Sequence, residues 1–187
     1  MKEYNMEICG VKRTLPFVDI NDKMAFASFV IIGDTELIGA AAKELADRIG
    51  PVDAIVTAEA KGIALSYEVS RLLGLKEFIV ARKSVKSYMK DVVSFSVNSI
   101  TTKGEQHLYL DGADAAKIAG KKVCIIDDVV STGESLNALE ELMKAAEANV
   151  VKKACVLAEG DAADRDDIIF LQKLPLFAKT GDEYELI

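Results

Sequence analysis

Two adjacent carboxylates, Asp127 and Asp128, follow directly on the apolar run Val123-Cys124-Ile125-Ile126 and precede Ser131-Thr132-Gly133-Glu134-Ser135. Residue types in this order suit an anion cradle with a diol or metal site beside it. The hydroxyls of Ser131, Thr132 and Ser135 add donors for phosphate oxygens, and Gly133 lets the backbone turn sharply and approach a ligand. Leu136, Leu139 and Leu142 then recur at helical spacing, so the loop's amides fall at a helix start, where phosphate is favoured. A plain helix cap accounts for one carboxylate, not for two followed by this loop.

Two further segments carry charge where such chemistry would use it. Glu59-Ala60-Lys61-Gly62 reads as a tight turn opening a helix, with amides and a lysine suited to a second anion. Arg82, Lys83, Lys86 and Lys90 put four cations within nine residues of a chain whose formal net charge is −7. A departing, heavily anionic group needs positive charge where its own charge develops. His107, the only histidine, falls in an alternating segment and reads as a strand-face residue. Cys9, Cys124 and Cys155 are far apart and lack a Cys-x-x-Cys pair, so they read as reduced, the latter two as small core residues.

The elements that must hold these groups follow from the apolar pattern. The run at 123–126 predicts a strand buried on both faces, as in a parallel sheet between helices. A helix is predicted from the N-cap Asp34 through Leu37, Ala41, Leu45 and Ile49 to Gly50-Pro51. Val52 to Ala58 reads as a strand, the stretch after Gly62 as a helix through Leu73-Gly74, and Phe78 to Ala81 as another strand. Strands alternating with helices signal βαβ units. Val92 to Leu110 predicts a β-hairpin connected at Lys103-Gly104, Ala113 to Ala119 a short helix, and Lys153 to Ala158 a strand ending at Glu159-Gly160. Residues 1–30 read as irregular, with an extended arm around Pro16, and Asp161 to Asp167 as a solvated acidic loop. Ile168 to Leu171 and Leu174 to Phe177 read as small edge strands.

With 187 residues the chain predicts one α/β domain: an open, mostly parallel sheet flanked by helices at 31–159, and a small hood from 1–30 and 160–187. The acidic balance argues against nucleic-acid binding by bulk electrostatics. No apolar run approaches the roughly 18 residues that would span a bilayer. Met1 to Glu7 has no secretory apolar core, so a cytoplasmic protein is expected.

Asp127 to Ser135 resembles the phosphoribosyl-pyrophosphate (PRPP) motif of type I phosphoribosyltransferases. Glu59-Ala-Lys-Gly62 resembles the pyrophosphate loop of their adenine and xanthine members, with Lys61 where the adenine enzymes carry Arg. The resemblance implies that PRPP is held by Asp127, Asp128, Val129, Val130, Ser131, Thr132, Gly133, Glu134 and Ser135. It also implies that pyrophosphate is held by Glu59, Ala60, Lys61, Gly62, Arg82 and Lys83. Lys83 and Lys86 would belong to a mobile catalytic loop, and Asp127 and Asp128 would reach magnesium through water. Phe17-Val18-Asp19-Ile20 is similar to the Phe-Arg-Asp-Ile segment whose Phe stacks on the purine in adenine enzymes. The implied base site is therefore Phe17, Val18, Val129, Glu159 and Gly160. Val18 and Gly160 depart from the family's residues there, and Thr102 stands at or beside a position where adenine enzymes carry a glutamate. Ser96 to Thr101 looks like the xanthine enzymes.

The implied reaction transfers the 5-phosphoribosyl group of PRPP to a purine, adenine first, with xanthine, guanine or hypoxanthine as the alternatives. A homodimer with no nucleic-acid or membrane partner is expected. The rival class is a PRPP- or nucleotide-sensing regulator without turnover. Lys61, Arg82, Lys83 and Lys86 favour the enzyme, because a sensor need not keep cations for a leaving group.

Overall fold

The computed structural model describes residues 3–98, 105–181 and 183–187. In chain order its strands are β1 (Glu3–Ile8), β2 (Val11–Asp19), β3 (Met24–Ala27), β4 (Ala54–Ala58), β5 (Ile79–Ala81) and β6 (Val93–Asn98). They continue with β7 (Glu105–Leu110), β8 (Lys122–Val130), β9 (Asn149–Glu159), β10 (Ile169–Leu174), β11 (Leu176–Thr180) and β12 (Glu183–Leu186). The helices are α1 (Thr35–Ile49), α2 (Ile63–Leu72), α3 (Gly112–Ile118) and α4 (Glu134–Ala145).

The buried apolar runs pair in parallel, in the order β10-β9-β8-β4-β5. Alternation along these strands feeds two separate cores. Ile55, Cys124, Ile126 and Val156 face the side covered by α1 and α2, while Val56, Val123, Ile125 and Cys155 face α3, α4 and the β6-β7 hairpin. This is the expected sheet with helices on both faces. The α1 boundary also falls where the residues put it. The Asp34 side chain accepts from Leu37 N at 3.1 Å, and Gly50 closes the helix with φ 65°.

A second, antiparallel sheet joins both ends of the chain in the order β1-β2-β3-β11-β12. The stretch expected to be irregular therefore holds three strands within residues 3–27. Cys9 and Gly10, with φ 51° and 80°, form the two-residue turn between Ile8 and Val11, and positive φ at both central residues matches the twist of a hairpin. The boundary at residue 160 also moves, because β10 pairs with β9 as the edge of the parallel sheet and only β11 and β12 join the other one. The acidic run after Glu159 is not simply solvated: Gly160–Asp164 form a 3-10 turn, and Asp167 is salt-bridged to Lys153 and Arg165. The expected hairpin is present as β6 and β7, whereas the Lys103-Gly104 connection and Thr102 lie outside the described residues.

Asp34 joins the two sheets' neighbourhoods, since besides capping α1 it takes Arg13 Nε and Nη2 of β2 at 2.6 and 2.8 Å. Asp34→Ala is expected to lower unfolding free energy by about 1–2 kcal/mol, and Asp34→Ser, which keeps the cap, by less. Urea unfolding read as a shift of midpoint at constant slope checks both.

Candidate active site

Everything expected to do chemistry gathers at the carboxyl ends of β4, β5, β8 and β9, the edge where open α/β sheets bind ligands. Asp127 and Asp128 are consecutive on β8, so their side chains leave opposite faces of the sheet. Asp128 continues the row of Ile126 toward α2 and is buried, only 1% of its side chain being accessible. Asp127 continues the row of Ile125 toward α4 and is half-buried, one oxygen accepting from Asp128 N at 2.8 Å.

Lys61 Nζ lies 3.0 Å from Asp128 Oδ2, close enough for an ion pair but off hydrogen-bonding direction, so neither buried oxygen of Asp128 accepts a hydrogen bond among the described residues. Burial, and then the neighbouring charge of Asp128, push the Asp127 carboxyl up to about 7. Lys61 opposes that rise. It also opposes the upward shift that burial gives Glu159 at the end of β9. One cation thus acts on three carboxylates from two strands.

The close approach of the Lys61 turn to β8 depends on Gly62. A Cβ there would collide with Thr57 Oγ1 and sit 3.3 Å from Ile126 O and 3.5 Å from Asp127 Cα. The peptide bond between Glu59 and Ala60 is cis. The Glu59 carboxylate binds the cationic segment: Arg82 Nη1 donates to Oε1 at 2.8 Å, Lys83 N donates to Oε2 at 3.0 Å, and Lys86 Nζ lies 4.0 Å from Oε1. Arg82 also donates to Tyr88 Oη at 3.1 Å, and its backbone exchanges two hydrogen bonds with Tyr109. Lys83 is exposed, and Lys86 donates to Ser84 Oγ at 2.8 Å.

Beyond β8, Gly133 has φ 80° and caps α4 without a side-chain hydrogen bond. The amides of Ser131, Thr132, Gly133 and Ser135 donate to no group among the described residues, and Glu134 N reaches Thr132 Oγ1 at 3.4 Å. Four free amides, two exposed hydroxyls at Ser131 and Thr132, and the positive end of a 12-residue helix make an anion cradle. Val130 is buried in the core beneath α3 and α4, and Val129 is packed at the margin of the one beneath α1 and α2.

On the base side, Phe17 stacks on Tyr184 at 4.2 Å and meets Phe177 edge-on at 4.7 Å. The opposite face of the same strands carries Val18, Phe26 and Leu176, in register across β2, β3 and β11. Leu176 borders Gly160, where an added Cβ would lie 3.1 Å from its Cδ1. An apolar row therefore stands beside Glu159-Gly160, one residue along from Phe17. Sequence reasoning also missed Arg165, whose Nη1 would be 2.5 Å from a Cβ on Gly133. Its only signal was a lone arginine two residues before Asp167 in an otherwise acidic run.

A family model for the phosphoribosyl transferase domain matches residues 32–181. The chain belongs to the type I phosphoribosyltransferase family. HGPRTase-like protein 3 of Haloterrigena turkmenica is 33% identical over 162 residues, covering 83% of this chain and 82% of that protein. The hypoxanthine/guanine phosphoribosyltransferase of Methanococcus voltae is 34% identical over 114 residues, 61% of this chain and 57% of that protein, so the chain matches little more than half of that relative. The crystal structure of adenine phosphoribosyltransferase from Thermoanaerobacter pseudethanolicus aligns with a TM-score of 0.66 at 21% identity, covering 93% of this chain and 96% of that one. At that identity the likeness is one of fold. The family's parallel sheet is the one that brings Lys61, Asp127, Asp128 and residues 131–135 together here.

The raised Asp127 carboxyl fixes a pH dependence. Between its ordinary value of 3.8 and about 7 the native state keeps a proton that the unfolded chain has released, so this group's contribution to stability declines as pH rises through that window. Asp127→Asn removes the decline: its melting temperature relative to wild type is expected to climb from about pH 5 to about pH 8. Thermal scans of both proteins in matched buffers check the sign.

Proposed function

We propose that the chain catalyses displacement of pyrophosphate from C1 of PRPP by a ring nitrogen of a purine, giving a nucleoside 5′-monophosphate. The observation that supports it most is the meeting of two anion-directed loops at Lys61, which ties the 59–62 turn to the acid pair at 3.0 Å. In this reading the free amides of Ser131, Thr132, Gly133 and Ser135 take the 5′-phosphate and Asp127 and Asp128 accept from the ribose diol. Lys61, Arg82, Lys83 and Lys86 face the departing pyrophosphate. As the C1–oxygen bond breaks, its electron pair leaves with pyrophosphate and the sugar gains positive character. Cations stabilise the first change, while the carboxylates hold the sugar in place for the second. Holding both reactants in register is then the main source of rate.

The acid pair also suits a magnesium ion. It offers hard oxygen donors, two of them without hydrogen-bond partners, and no cluster of three or more His, Cys, Asp or Glu fit to hold a metal occurs among the described residues. That donor set fits a cation held chiefly by substrate oxygens and water. When bound, the ion would neutralise pyrophosphate charge.

Two readings of the base remain in view. The Phe17–Ile20 likeness and the shared fold favour adenine. The names of relatives a third identical to this chain favour hypoxanthine and guanine, and the stacking of Phe17 on Tyr184 weakens the main residue-level support for adenine. In both readings the purine lies against Val18, Phe26 and Leu176, beside Glu159. No helix among the described residues is long and apolar enough to cross a membrane.

Incubation with PRPP, magnesium and each of adenine, guanine, hypoxanthine and xanthine, followed by chromatography, is expected to yield one or more monophosphates. No nucleotide from any base rejects the enzyme in favour of a sensor. Replacing both Asp127 and Asp128 by Asn is expected to abolish the thermal stabilisation that PRPP gives the wild type. Phe26→Ala is expected to raise KM for the base by about tenfold or more, since aromatic stacking on a base is worth roughly 1–3 kcal/mol, whereas Phe17→Ala is expected to lower stability with less effect on KM. Steady-state kinetics beside thermal scans separate the two.

A further inference from the structure

Arg165 brings a guanidinium to the N-terminus of α4 with one of its donors unused. Its Nε and Nη2 donate to the two oxygens of Asp167 at 2.8 Å each. Nη1 takes part in neither bond and lies against Gly133, the cap of α4. A helix N-terminus carries partial positive charge, so a guanidinium placed there opposes the helix dipole. The amides of Ser131, Thr132, Gly133 and Ser135 point no hydrogen bond at any described group, so they and Arg165 Nη1 are donors without an acceptor among the described residues.

The placement is built, not incidental. Asp167 is gripped by Lys153 Nζ at 2.6 Å, and Lys153 by Glu140 of α4 at 3.1 Å. The relay Glu140, Lys153, Asp167, Arg165 therefore starts on α4 and returns to its cap. Asp167 fixes the guanidinium plane, and its own carboxyl is held well below the usual range by Arg165 and then by Lys153. A cavity of about 400 Å³ flanks the relay on the side of Glu140, Lys153 and Asp167, but Lys153 is paired there and Lys152 donates to Ile49 O, so no cation is spare for an anion on that side. The spare donor is on the Gly133 side.

We propose that Arg165 binds the terminal phosphate of the sugar phosphate held by residues 131–135, with Nη1 donating to a phosphate oxygen. The inference rests on the reading of that loop as the sugar-phosphate site and adds a side-chain cation to its amides. It also gives Gly133 a second reason to lack a side chain: beyond its positive φ, a Cβ would occupy the place of the guanidinium. Arginine suits the role because one edge of its fork can stay on Asp167 while the other meets phosphate.

Titration calorimetry with ribose 5-phosphate and, separately, with pyrophosphate tests it on wild type, Arg165→Gln and Arg165→Lys. Arg165→Gln is expected to weaken ribose 5-phosphate by about ten- to a hundredfold and leave pyrophosphate within about twofold. Arg165→Lys is expected to recover part of the loss. An unchanged affinity for ribose 5-phosphate in a folded glutamine variant overturns the inference. So does an equal loss for both ligands, which assigns Arg165 to support of the fold. Should the glutamine variant lose its melting transition, the lysine variant decides: a selective loss of ribose 5-phosphate upholds the inference, and wild-type affinity overturns it. If wild type binds neither ribose 5-phosphate nor PRPP, the reading of the loop fails and this inference with it.

Discussion

The contact between Lys61 and Asp128 is what the site depends on. A carboxylate with 1% of its side chain accessible is strongly unfavourable as an ion without a partner. The partner comes from a different strand end, so the 59–62 turn must press against β8. Only a residue without a side chain at position 62 allows that, given how little room Thr57 and the Ile126 carbonyl leave. Electrostatics and backbone packing thus determine one another: the glycine admits the lysine, and the lysine makes the buried acid tolerable. Asp127, one residue earlier and on the other face of the sheet, is left to carry the raised affinity for its proton.

The cations of the 82–90 segment answer to a similar logic. Their positive charge would repel in an empty cleft, and Glu59 gathers Arg82, the Lys83 amide and, more distantly, Lys86 around one carboxylate. Glu59 and Asp128 therefore divide the cations between them, one organising those of the 82–90 segment and the other anchoring Lys61. An incoming polyanion competes with carboxylates already in place, so it meets a pre-arranged set of donors and need not order them itself.

Most of this was legible in the sequence wherever a residue's chemistry and its backbone role pointed the same way. The run Val123 to Ile126, the acid pair and the glycine at 133 agree at every level, as do Asp34, Leu37 and Gly50 for α1. Legibility failed where long-range pairing decided. Residues 3–27 looked irregular because Cys9-Gly10 is a weaker turn signal than Asn-Gly, and because β3 finds its second partner in β11, far along the chain. Phe17 could be matched to a motif, but which face of a strand it occupies is a matter of register, settled by Ala27 opposite it and Phe177 nearby. Arg165 hid among acids because nothing local says that its partner, Asp167, is itself tethered to α4 through Lys153.

The sheet that unites the two ends of the chain has a kinetic implication. Its β3-β11 seam closes a loop containing the entire parallel sheet, and contacts so distant in sequence form late, after nearer ones have reduced the entropy of closure. The loop at 131–135 lies between β8 and α4, its neighbours along the backbone, and is able to assemble early. The apolar row of Val18, Phe26 and Leu176 is complete only once the last strands arrive, so a nascent molecule holds the free amides of that loop in place before it owns the row.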